Sequence, residues 1–310
     1  MKRQLQFDSC GGAGKIAACV WEPQGNAVGI VQIIHGIAEH VERYDDFARY
    51  LNACGYLVVA EDHMGHGLTA DLGGTKGYFH GGWWAAVDDV CTLTKIAKEQ
   101  YSNLPYILFG HSMGSFMARS ILIKYPDMGI DGCVICGTGW QPTAVLGAGK
   151  FLASTICKVV EPTKPSRMLH SIAFGAYNRR IKQPRTPFDW LTSETHIVDA
   201  YAADPKCGFV ASAALMLDMF KGIGSIQEQT GLARMKKSLP VYFIAGGDDP
   251  VGDYGKGVQR TAQAFEKIGM QHVSMKIYPS GRHEILNERN KNEVYADVSN
   301  WIKNVINGTK

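Results

Sequence analysis

The sequence predicts an α/β fold: a mostly parallel eight-stranded sheet opened by an antiparallel hairpin, with helices on both faces and a helical cap inserted late in the chain. Three observations lead there. Apolar runs of four to seven residues alternate with longer helical-looking segments, the rhythm of parallel strands joined by crossover helices. The rhythm stops near residue 139 and resumes near 241. The pentapeptide Gly110-His111-Ser112-Met113-Gly114 stands between an apolar run and a helical one.

The elements follow in order. Residues 4–7 and 15–21 alternate apolar and polar on either side of Cys10-Gly11-Gly12-Ala13-Gly14 and read as the hairpin. Gly14-Lys15 does not open a phosphate loop, because Ser9 stands where the earlier glycine belongs and Ile16 where a Ser or Thr would ligate magnesium. Strand 28–34, helix 44–54 closed by Gly55, strand 56–61 and helix 83–99 come next. Strand 106–109 and helix 112–124 flank the pentapeptide, and 132–136 is a further strand. The segment 140–235 carries Pro142, Pro162, Pro165, Pro184, Pro187 and Pro205, short helical stretches and no clear strand. It reads as a cap inserted into a core domain made of 1–139 and 236–310. Its apolar residues, Phe151, Leu152, Ile156, Val159, Val160, Met168, Leu169, Phe174, Leu215, Met216, Leu217, Met219 and Phe220, are expected mostly to pack the cap's own core, some of them lining a substrate pocket. Strand 241–245, helix 257–268, strand 273–278 and helix 290–306 complete the core.

Composition narrows the function. A hydrophobic fraction of 45% and a charged fraction of 20% are those of an ordinary globular chain. A net charge of +3, with no run of like charges, points away from nucleic acid and from a polybasic membrane patch. No apolar run approaches a bilayer span. The basic N-terminus is followed by no apolar stretch, so no signal peptide is expected and a cytoplasmic location is. The eight cysteines are accordingly expected as reduced, buried thiols. Cys133 and Cys136 have C-x-x-C spacing, but a strand sends them to opposite faces and no second pair completes a zinc site. Asn307-Gly308-Thr309 matches a glycosylation sequon, which means little without secretion.

The chemistry starts at Ser112. G-x-S-x-G between a strand and a helix is the nucleophile elbow: a strained turn lifts the hydroxyl clear of the sheet, and its glycines avoid collisions. The bland alternative is a glycine-rich turn with a serine N-cap. A serine hydroxyl needs a base, and the base an orienting carboxylate. Two later loops follow strands in the right order. One is Gly246-Gly247-Asp248-Asp249-Pro250-Val251; the other is Pro279-Ser280-Gly281-Arg282-His283-Glu284. His283 is the expected base. Asp249 is chosen as the acid because Pro250 restrains its backbone; Asp248 is the neighbour it displaces and Asp253 a distant third. An oxyanion needs two backbone donors, expected from Met113 and from Ile37 in the loop after strand 28–34. His35 and His40, and His63 and His66, have no H-E-x-x-H context, so no hydrolytic metal is expected. His111 is read as filling space beside the serine.

These residues together resemble the α/β-hydrolase fold and, within it, the monoacylglycerol lipase and lysophospholipase group. The likeness rests on His35-Gly36-Ile37-Ala38-Glu39-His40 leading to Arg43-Tyr44, on Glu61-Asp62-His63-Met64-Gly65-His66-Gly67, on the elbow, on residues 246–251 and on His283. It is weak across the cap. Ala38 departs from the glycine usual there, and its methyl group narrows the loop. The resemblance implies hydrolysis of a carboxylic ester with an apolar or fatty acyl chain through an acyl-enzyme on Ser112, with no metal or organic cofactor. A short-chain carboxylesterase or a peptidase acting at N-terminal residues would use the same three side chains. A ligand-binding protein that does no chemistry would usually have lost one of them. The partner expected is a small ester or lipid; the oligomeric state is not legible.

Overall fold

The computed structural model describes residues 1–308, so Thr309 of the sequon lies outside the described residues. The strands are β1 (Lys2–Asp8), β2 (Lys15–Trp21), β3 (Gly29–Ile34), β4 (Tyr56–Glu61), β5 (Tyr106–His111), β6 (Gly132–Cys136), β7 (Val241–Gly246) and β8 (Val273–Tyr278). The helices are α1 (Asp45–Ala53), α2 (Gly82–Gln100), α3 (Met113–Lys124), α4 (Thr143–Val159), α5 (Arg167–Phe174), α6 (Thr195–Ala203), α7 (Ala213–Ser225), α8 (Gln229–Leu232), α9 (Lys256–Lys267) and α10 (Lys291–Ile306).

All eight strands form one sheet in the order β1-β2-β4-β3-β5-β6-β7-β8. Only β2 runs against its neighbours, pairing antiparallel with β1 and β4. β3 to β7 are buried along their whole length, which is why they read as unbroken apolar runs rather than alternating ones. Ile30, Ile34, Leu108, Cys133 and Phe243 pack on one face with residues of α2, α3 and α9. Val31, Ile33, Ile107, Phe109 and Cys136 pack on the other with α1 and α10. Cys133 and Cys136 therefore bury on opposite faces. The chain leaves β3 for β4 on one side and returns to β5 on the other. The crevice beyond the ends of β3 and β5 is thus the topological switch point, where open parallel sheets bind ligands.

Several expectations need correction. All eight cysteines are free, but only Cys19, Cys91, Cys133, Cys136 and Cys207 are buried; Cys10 and Cys54 are exposed. Between β6 and β7 the chain is helical, yet α4 spans 17 residues, longer than the prolines led us to expect. Of the thirteen apolar residues assigned mostly to a cap core, Leu169, Leu215, Met216 and Met219 are buried, and Leu152, Ile156, Phe174, Leu217 and Phe220 pack half-buried against the same cluster, which is continuous with the main core rather than the segment's own. Phe151, Val159, Val160 and Met168 are exposed. Leu152, Phe174, Met219 and Phe220 line a cavity. A helix seated over a groove has no neighbour to cover its outer stripe, so its apolar residues divide among core, cavity and solvent. Among the described residues no helix is long and apolar enough to cross a membrane.

Candidate active site

Ser112 follows directly on β5 and precedes the first residue of α3. Its backbone sits at φ 54°, ψ −120°, a region that non-glycine residues avoid at a cost of about 1–3 kcal/mol. Neighbouring bonds hold it there. Its N–H donates to Cys136 C=O at 3.0 Å, and its C=O accepts from Ser115 N–H at 2.9 Å and Ser115 Oγ at 2.6 Å. No side-chain cap bond is made, so the N-cap alternative does not describe this serine. A Cβ on Gly110 would meet Gly114 O at 2.5 Å, and one on Gly114 would meet Ile34 O at 2.0 Å. Both glycines are needed because β5, α3 and the end of β3 touch through their backbones.

His283 and Asp249 come from the loops after β8 and β7. The His283 Nδ1–H donates to Asp249 Oδ2 at 3.0 Å, and Asp249 Oδ1 accepts the Val251 N–H at 2.9 Å. Both residues are buried, whereas Asp248 is exposed. With Nδ1 donating, Nε2 of the neutral ring is left as an acceptor. Trp190, which sequence reasoning missed, packs against His283 with its ring tilted by 40° and ring centroids 5.0 Å apart. Ser112 and His283 line the same cavity of about 970 Å³, but no hydrogen bond joins Ser112 Oγ to His283 among the described residues. Such bonds are commonly long in unliganded hydrolases and tighten with substrate.

The two expected oxyanion donors are the groups that the backbone leaves over. Met113 N–H opens α3, where helix geometry supplies no acceptor. Neither it nor Ile37 N–H is used in any hydrogen bond among the described residues. Ile37 and Met113 line the cavity with Ser112. An ideal Cβ on Gly36 would lie 3.1 Å from the Ser112 Cβ, so the two loops are in contact.

Ala38 takes φ 55°, where the usual glycine would be unstrained. Two donors from beyond β6 hold its carbonyl: Tyr201 Oη–H at 2.8 Å and Gly208 N–H at 2.9 Å. His40 Nε2 pairs with Asp204 Oδ2 at 2.8 Å beside them. The helical segment thus grips the loop that carries Ile37.

Behind the site lies a buried charge network that the sequence did not reveal. Arg43 donates to Glu39 Oε2 at 2.6 Å and to both carboxylate oxygens of Glu284 at 2.6 Å. Burial works against ionising these carboxyls, but His111 and Arg43 outweigh it at Glu39, and Arg43 at Glu284, so both sit below their ordinary values. His111 does more than fill space. Its Nδ1 lies 3.2 Å from Glu39 Oε1, and its Nε2 donates to the His283 carbonyl at 3.3 Å. Burial lowers the His111 pKa, yet Glu39 more than offsets this and the imidazole is raised above its ordinary value. The network fixes the backbone of His283 from below. Glu39 and Arg43, His111 and Glu284 each stood in a quoted stretch, but no local pattern joined them.

The fold, the strained serine on its elbow at the sheet's switch point and the acid–imidazole pair from the loops after β7 and β8 define an α/β-hydrolase. Comparison with known proteins agrees. A family model described as "Serine aminopeptidase, S33" matches residues 25–290, and the chain belongs to that family. It is 28% identical over 301 residues to a monoacylglycerol lipase of Mycolicibacterium smegmatis, covering 97% of each chain. It is 24% identical to the human monoglyceride lipase, over 91% of this chain and 84% of that one. Among solved structures it is similar to a thermostable carboxyl esterase from Bacillus coagulans in complex with glycerol, with 33% identity, a TM-score of 0.92, and 98% and 99% of the two chains covered. The chain is an ester hydrolase similar to the monoacylglycerol lipases.

Proposed function

We propose that the protein hydrolyses carboxylic esters of fatty acyl chains, monoacylglycerols foremost and lysophospholipids as the variant, through an acyl-enzyme on Ser112. His283 Nε2 takes the Ser112 proton as Oγ attacks the ester carbonyl. The Ile37 and Met113 N–H groups stabilise the oxyanion, each donor lowering the barrier by about 3 kcal/mol. The alcohol leaves with the proton from His283. Water, deprotonated by His283, then releases the fatty acid and restores the serine. Asp249 holds the imidazole in the required tautomer and balances its charge. The residues between β6 and β7 act as the cap that shapes the substrate pocket.

The observation that carries the acyl preference is the cavity. It reaches from Ser112 between α4, α5 and α7, and Leu146, Leu152, Phe174, Phe209, Met219, Phe220 and Ile223 line it. At about 970 Å³ it lies at the top of the range for small-ligand sites and accommodates a long chain. Each methylene buried against such walls contributes about 0.8 kcal/mol. For p-nitrophenyl esters, kept below their micellar concentrations, kcat/KM should therefore rise about fourfold per methylene until the cavity is filled. A maximum at acetate would favour the short-chain esterase reading. Release of N-terminal residues from peptides, faster than any ester, would favour the peptidase reading.

A further inference from the structure

The loop after β3 presents two peptide planes beside Ser112, and their hydrogen bonds can be accounted for group by group. In the His35–Gly36 peptide, the C=O accepts from His63 Nε2 at 3.0 Å and the N–H donates to Glu39 Oε1 at 2.6 Å. In the Gly36–Ile37 peptide, the C=O accepts from His35 Nδ1 at 2.7 Å. Only the Ile37 N–H remains. A trans peptide points its C=O and N–H in opposite directions, so whatever holds the Gly36 carbonyl also aims the Ile37 N–H.

We propose that His35 is a positioning residue for the oxyanion: its Nδ1–H, given to the Gly36 carbonyl, turns the Gly36–Ile37 peptide so that the Ile37 N–H is presented beside Ser112. The proposal rests on the reading of Ile37 as an oxyanion donor. His35 is fully buried and has one tautomer open to it. His63 N–H donates to its Nε2 at 3.0 Å, so Nε2 carries no proton. A carbonyl can only accept, so Nδ1 must carry one. Burial, and then the neighbouring His63 and His66, holds the imidazole well below its ordinary pKa, which keeps the ring neutral. The His63 ring packs against it, tilted by 31° with ring centroids 3.9 Å apart, and restricts its plane. The donor is therefore preorganised before substrate arrives, the condition under which oxyanion stabilisation is largest. Ser115 has the matching task on the other side. It holds the Ser112 carbonyl and leaves the Met113 N–H free.

Two isosteres separate orientation from mere packing. The amide nitrogen of His35→Asn reaches the place of Nδ1 and can donate to Gly36. The amide oxygen of His35→Gln reaches the place of Nε2 and keeps the bond from His63, but offers Gly36 nothing. Steady-state kinetics of both, and of His35→Ala, are measured on the best p-nitrophenyl ester at a temperature below the lowest unfolding midpoint. A fluorophosphonate counts competent sites. The expected result is a kcat loss of about 10- to 100-fold for Gln and Ala with KM within about twofold, since a misaimed donor forfeits less than a deleted one. His35→Asn should stay at least about tenfold above Gln. An Asn variant no faster than Gln overturns the proposal, as does wild-type kcat in the Ala variant. If wild-type protein turns over no ester and its Ser112 is not labelled, the functional reading fails instead.

Discussion

Replacing Ser112 with Ala should lower ester turnover by about 10⁴-fold or more, because a residue that forms the covalent intermediate has no substitute in the site. The loss should fall on kcat, and substrate binding should survive. Nothing in the fold depends on the hydroxyl: it caps no helix and makes no hydrogen bond among the described residues. An alanine keeps the same φ 54° backbone, held by Ser115 and Cys136. Thermal unfolding within a few degrees of wild type should therefore accompany the dead enzyme. An Ala variant that retained turnover would show that the chemistry lies elsewhere.

The second large effect separates two adjacent carboxylates. Asp249→Asn should reduce kcat by about 10³- to 10⁴-fold, the cost of offering the imidazole an amide that can stabilise the wrong tautomer. Asp248→Asn should stay within about threefold, the scale of an exposed surface change. The contrast follows from place. Asp249 is buried with both oxygens engaged, one by His283 Nδ1 and one by Val251 N–H. Steady-state kinetics on one ester decides it, and the reverse ranking would reassign the acid to Asp248.

The sequence carried much of this, for identifiable reasons. The parallel strands were legible because strands buried on both faces are written as continuous apolar runs, bounded by Gly55, Gly110 and Gly132. The start of β1 was not: Lys2 and Arg3, before the expected start at Gln4, are charged, half-buried residues of an edge strand and carry no apolar signal. The elbow was legible because its geometry demands glycine at two fixed offsets. Pro250 pointed to Asp249 over Asp248, and Asp249 is the carboxylate that meets His283 Nδ1. The charge network was hidden because Arg43 and Glu284 lie 241 residues apart, and no local pattern says which buried charge answers another. His35 was hidden for the same reason, since its partner His63 sits on the far side of α1 and β4. The inserted segment was legible only in part, because apolar helical spacing tells that a face is covered without telling by what. On α4 it is covered in part by the cavity, and Phe151 faces solvent at 76% exposure.

The catalytic claim is that a bond forms between the substrate acyl group and one serine oxygen. Intact-mass spectrometry of enzyme quenched in acid within milliseconds of mixing with a long-chain p-nitrophenyl ester tests it directly. The expected result is a protein species heavier by the acyl group, with the adduct on the peptide that contains Ser112 and absent from the Ser112→Ala variant. Turnover with the adduct on any other residue, or an adduct that persists in that variant, would contradict it.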